Sequence, residues 1–152
     1  MQFKTKITFG LGQWSTIKAS HIRMFTDHTE AIIEYHGKSY QWKFPLLARF
    51  NIFNVLAALS VSVGLWIELE DAINALEDFV QEPWRQEHYL VNDIHRYIDF
   101  AHTPMWLEVM LEYLQTIKDW WRVICVFGAP GKRDASKRPL MGRVVERLAD
   151  VI

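Results

Sequence analysis

The sequence has 152 residues, half of them apolar and 23% charged, with a formal net charge of −1. That length suits one domain or two small ones, and a chain of this size can bury about 70% of its unfolded surface. The near-zero charge excludes a global field that would draw the chain to nucleic acid or an acidic membrane surface, so neither is an expected partner. A single cysteine, Cys125, excludes an internal disulfide framework and fits a reducing compartment, so the expected location is cytoplasmic. No apolar signal core follows Met1, and the longest apolar stretch, residues 55–66, is too short to span a bilayer.

Residues 6–11 alternate weakly and read as a strand, closed by a turn at Gly10 and Gly12. Residues 21–25, 31–35 and 40–44 are β-favouring runs separated by short polar breaks, the pattern of an antiparallel meander. From Phe50 the period changes. Phe53, Leu56, Ala57, Ser60 and Gly64 fall at helical spacing, and Val55, Leu59 and Val63 line the adjoining face, so residues 50–65 predict a largely buried helix. Residues 68–79 predict a second helix with Ile73, Leu76 and Val80 inward. Pro83 stops it and marks the domain boundary.

Beyond the boundary, residues 88–91 and 96–100 read as strands around Asn92-Asp93. Thr103-Pro104 is a helix start, with threonine as N-cap and proline in the first turn. Residues 121–127 form a nearly continuous apolar run, as in a buried parallel strand. A helix over 139–149 and the opening of a further strand at 150–152 complete the chain.

Two polar loops in residues 97–141 each follow a strand and precede a helix. In an open α/β sheet such loops lie at the carboxyl ends of strands, where ligands bind. The first carries Asp99, His102 and Thr103. An aspartate there can accept from ribose hydroxyls and a histidine can stack on a base; capping and loop packing explain the same residues. The second is Gly128-Ala129-Pro130-Gly131, followed by Lys132, Arg133, Lys137 and Arg138. From Ala129 to Arg147 there are six basic and two acidic residues. The patch suits a phosphate or carboxylate, and also suits a solvated helix entry. Gly131-Lys132 is followed by Arg133, and no Gly-x-x-x-x-Gly-Lys-Ser/Thr occurs in the sequence, so it is not a Walker loop. Asn51 and Asn54, three apart on one helix face, could read an adenine edge or simply cap the helix. The six histidines show no metal-ligand spacing, and no GxSxG accompanies Cys125, so neither a metal site nor a hydrolytic triad is read.

Taken together, LLARFNIFNVLAAL, Trp84-Arg85, YIDFAHTP and VFGAPGKRDASKRPLM resemble the ATP-dependent Mur ligases. The resemblance covers nearly the whole chain, and within the family it is greatest to the enzymes that add diaminopimelate or lysine to UDP-N-acetylmuramoyl-dipeptide. It implies an α/β fold: residues 1–83 as the end of the central ATP-binding domain, with antiparallel strands and helices, and residues 84–152 as the first part of a Rossmann-like C-terminal domain. It also implies peptidoglycan synthesis through an acyl-phosphate intermediate, with ATP, Mg²⁺, the UDP-linked dipeptide and the amino acid as partners. By resemblance Asn51 and Asn54 would lie near adenine, and Arg85 and Lys137 would face the phosphates. Asp99 would take the ribose with His102 beside it, and Arg133 would bind a carboxylate of the incoming amino acid.

The sequence departs from the family where Trp84 replaces a glycine, Met105 an aspartate and Lys132 an acid. The P-loop, the UDP-binding domain, the Mg²⁺ ligands and the Asp-Asn-Pro-Arg motif are absent from these residues. The expectation is therefore an internal fragment without a complete catalytic set, inactive without the remainder of the ligase. The alternatives are a non-catalytic nucleotide- or anion-binding module, a degenerate remnant, or a related ligase of the cyanophycin or folylpolyglutamate type.

Overall fold

The computed structural model describes residues 6–129 and 134–152. The chain divides into two compact units between Glu82 and Pro83.

In the first unit, β1 (Phe9–Gly10), β2 (Ile17–Met24), β3 (Thr29–Tyr35) and β4 (Lys38–Phe44) form one sheet in chain order. β1 pairs parallel to β2; β2, β3 and β4 are antiparallel. The meander follows from turn chemistry. His36 and Gly37, both at positive φ, make the two-residue link from β3 to β4 that matches strand twist. A bulge between Ser20 and Arg23, with His21 at φ 50°, bends β2. Alternation then sends Ile17, Ala19, Ala31, Ile33, Trp42 and Phe44 to one face.

That face is covered by α1 (Arg49–Gly64) and α2 (Leu69–Glu77). Ile52, Val55, Leu56 and Leu59 of α1 and Leu69, Ala72 and Ile73 of α2 complete the core. The other side of α1 is open: Phe53, Val61 and Leu65 are exposed, so this helix is less buried than its sequence suggests. At its end the amides of Trp66 and Ile67 donate to the carbonyls of Val63 and Ser62, each at 3.0 Å. This is the Schellman pattern, and its left-handed residue is Trp66 at φ 66° rather than glycine. A non-glycine residue there costs about 1–2 kcal/mol.

The second unit opens with a hairpin of β5 (Glu87–Val91) and β6 (Ile94–Ile98) around Asn92 and Asp93, both at positive φ. α3 (Pro104–Ile117) starts as its sequence dictates: Thr103 Oγ1 accepts the Trp106 amide at 3.3 Å, and Pro104 occupies the first turn. α4 (Lys137–Leu148) packs on α3 through Met141, Val144 and Val145 against Leu107 and Leu111.

The apolar run 121–127 differs from expectation. It makes one isolated parallel bridge, Ile124 to Val151, in place of a continuous strand. Val123 and Cys125 are buried toward the helices, whereas Ile124 and Val126 are exposed. Asp150 holds this contact, its carboxylate accepting both the Val123 amide and the Lys118 ammonium at 2.8 Å. The run is apolar on both faces, but only one is covered among the described residues. No described helix is long and apolar enough to cross a membrane.

Candidate functional site

The hairpin, α3 and the segment 124–128 enclose a pocket of about 510 Å³ in the second unit. Its volume lies within the range of small-molecule sites. Leu107, Met110, Leu111 and Leu114 of α3 form an apolar wall; Asp99, His102 and Lys137 supply polar atoms.

Asp99 stands one residue past β6. Its Oδ2 accepts the amide of Gln86, at 3.1 Å, fastening the end of β6 to the start of β5. Burial raises its carboxyl above the ordinary value; the Gln86 and Ala101 amides and the Arg85 charge pull the other way. The result is a half-buried acceptor that gains from a hydroxyl donor more than an exposed carboxylate would.

His102 is exposed, with Nδ1 3.0 Å from the Phe100 carbonyl and its ring beside that of Phe100. Lys137, the first residue of α4, donates from Nζ to the His102 carbonyl at 2.9 Å. This bond joins the two polar loops across the pocket. The neighbouring Arg138 donates to the Ala129 carbonyl at 3.2 Å, so α4 begins with two cations directed at loop backbone. Asp134 balances them in part: the Ser136 hydroxyl, the backbone amides of Ser136 and Lys137, and the Lys137 charge hold its carboxyl below the usual range. Arg85 lies with its guanidinium 5.7 Å from the centre of the Phe100 ring, a cation–π contact at the same loop.

The structure thus gathers Asp99, His102 and Lys137 around one pocket, with Arg85 on Phe100 of its wall. Asn51 and Asn54 belong to the other unit. Asn51 is buried in the first turn of α1; its Nδ2 donates to the Leu47 carbonyl at 2.7 Å and its Oδ1 accepts from Asn54 at 3.0 Å. Asn54 is the exposed member of the pair. Arg133, expected at the amino-acid carboxylate, lies outside the described residues, as does Lys132.

Two contributors carried no sequence signal. Phe100 is exposed yet central to the contacts of Arg85 and His102. Gln86 is buried at positive φ, its amide on Asp99 and its Nε2 3.5 Å from the Met110 sulfur. Cys125 lines the same pocket, its thiol pushed up by burial, which disfavours the nucleophilic thiolate.

An acidic strand end and a cationic helix start thus face one pocket in the second unit, and the sequence signature described as the Mur ligase, glutamate ligase domain matches residues 84–152. Through this domain, residues 84–152 belong to the Mur ligase family. The whole chain is similar to UDP-N-acetylmuramoyl-L-alanyl-D-glutamate–2,6-diaminopimelate ligases. That of Thermosynechococcus vestitus is 35% identical over 148 residues, covering 95% of this chain and 30% of that protein. That of Chlamydia abortus is 36% identical over 144 residues, covering 93% and 30%. The chain therefore spans about 30% of the length of these curated relatives. Among solved structures, UDP-N-acetylmuramate-alanine ligase from Thermotoga maritima superposes with a TM-score of 0.76 at 22% identity, covering 95% of this chain and 32% of that one. A 2,6-diaminopimelate ligase superposes at 0.69 with 24% identity, covering 94% and 29%. At these identities the structural likeness bears on the fold alone.

Proposed function

We propose that this chain is part of an ATP-dependent ligase that adds 2,6-diaminopimelate to UDP-N-acetylmuramoyl-dipeptide in cytoplasmic peptidoglycan synthesis. Residues 1–83 are the late central domain and 84–152 the early C-terminal domain. The observation that carries the reading is similarity to diaminopimelate ligases along 95% of the chain. The pocket supports it chemically. Its volume and apolar wall suit part of a nucleotide, Asp99 offers an acceptor for a ribose hydroxyl, and Lys137 brings a mobile point charge for phosphate. Arg85 adds a fork-shaped cation at the same loop, and His102 a ring beside Phe100. Asn51 and Asn54 take the adenine edge, with Asn54 the exposed member of the pair. Arg133 binds the carboxylate of the amino acid.

ATP supplies the phosphoryl group that activates the peptide carboxylate; these residues bind and orient it. Mg²⁺ is implied by the family; among the described residues no group of three or more His, Cys, Asp or Glu side chains is gathered.

Calorimetric titration of the chain with ATP tests the nucleotide assignment. Saturable binding is expected, weakened at least tenfold by Lys137→Ala, which corresponds to about 1.4 kcal/mol. Absence of ATP binding, or binding by Lys137→Ala and Asp99→Ala equal to that of wild type, overturns it. Because no Gly-x-x-x-x-Gly-Lys-Ser/Thr occurs in these 152 residues, the isolated chain is expected to form no product from ATP, the UDP-linked dipeptide and diaminopimelate. Product formation would show that the phosphate cradle lies within the chain.

A further inference from the structure

The end of α1 presents an apolar knob that the proposed nucleotide site does not use. Trp66 is 94% exposed, although its position in the helix-ending motif is one where glycine is free of strain. Beside it Leu65 is 67% exposed, and Val61, one turn earlier on the same face, 63%. Trp14 is a second exposed indole at this end: its carbonyl accepts from Thr8, next to Ile7, and the Ile7 side chain lies 3.7 Å from where a Cβ on Gly64 would stand. An indole held out on a left-handed backbone, with no burial in its own unit, points to a contact made elsewhere.

The rim identifies that contact. The residues following the knob are Glu68, Glu70 and Asp71, the N-cap and first turn of α2. Three acids beside the apolar centre repel an anionic lipid surface and disfavour a face-to-face second copy of the same patch. They complement a protein surface that is apolar at its centre and bordered by lysine or arginine, and tryptophan is the residue most characteristic of such interface centres.

We propose that Trp66, with Leu65 and Val61, is a docking knob for another polypeptide that offers an apolar pocket with a basic rim. The probe is a fluorescent 18-residue amphipathic Leu/Lys peptide, with a Leu/Glu peptide of the same pattern as control. Saturable binding of the Leu/Lys peptide is expected, at least tenfold weaker with Trp66→Gly and with Glu70→Lys. Binding of the Leu/Glu peptide should improve with Glu70→Lys. Circular dichroism establishes that each variant is folded, and Trp66→Gly removes strain rather than packing. Equal peptide binding by wild type and Trp66→Gly overturns the proposal. So does absence of peptide binding together with either Trp66-dependent binding to phosphatidylglycerol vesicles or Trp66-dependent self-association in sedimentation.

Discussion

Met141→Ala probes how the cationic end of α4 is held. Met141 lies four residues after Lys137, on the same helix face, and is fully buried against the core of the second unit. Truncating a buried methionine to alanine costs about 2–5 kcal/mol, depending on how far the cavity collapses. At roughly 0.05–0.15 kcal/mol per residue, a unit as long as Pro83–Ile152 has about 4–10 kcal/mol in all. The substitution therefore removes a fifth or more of that stability and loosens the helix that presents Lys137 to the His102 carbonyl. Urea unfolding followed by far-ultraviolet circular dichroism and indole fluorescence measures it, since Trp121 packs on this cluster. The transition of the second unit should move to lower urea and ATP affinity should fall with it, while the first unit's transition stays in place. Leu140→Ala, one residue away and exposed, is the control and should change stability by less than about 0.5 kcal/mol. A cost below about 1 kcal/mol for Met141→Ala would refute the claim that this contact anchors α4.

Three further outcomes follow from particular contacts. Thr103→Ala removes the acceptor of the Trp106 amide and should cost about 1 kcal/mol by urea midpoint, with Thr103→Ser recovering most of it. Asp99→Asn tests the raised carboxyl. A folded-state value above the unfolded one means that ionising Asp99 opposes folding at neutral pH, and that this opposition fades as pH falls through the raised value toward the ordinary carboxylate range. The variant keeps an oxygen for the Gln86 amide, so it should exceed wild type in stability at about pH 7, with the gap narrowing by about pH 3. A gap that widens on acidification would contradict the burial argument. Trp66→Gly should stabilise the first unit by about 0.5–1 kcal/mol, the relief of left-handed strain less glycine's added unfolded-state freedom. A lower melting temperature would show that the indole packs more than its exposure indicates.

The local elements were legible because their causes are local. Asn92-Asp93 specifies a tight hairpin turn through two residues that tolerate positive φ, and Thr103-Pro104 specifies a helix start through one acceptor and one fixed φ. The apolar stripes of α2 and α3 are written at helical period. The polar residues of the pocket could be nominated from the same short segments: Asp99, His102 and Lys137 each sit where a loop meets a strand or a helix. Tertiary structure decided their state. Lys137 meets the carbonyl of His102, 35 residues away, and Asp99 meets the amide of Gln86, 13 residues away; neither distance is encoded in either segment alone. Asn51 and Asn54 look alike in sequence, yet one is buried on the Leu47 carbonyl and the other faces solvent. The run 121–127 is apolar on both faces, and only the packing of α3 and α4 determined that Val123 and Cys125 turn inward while Ile124 and Val126 do not. Periodicity reports which side chains an element could bury; which of them it does bury depends on the neighbours that long-range contacts bring beside it.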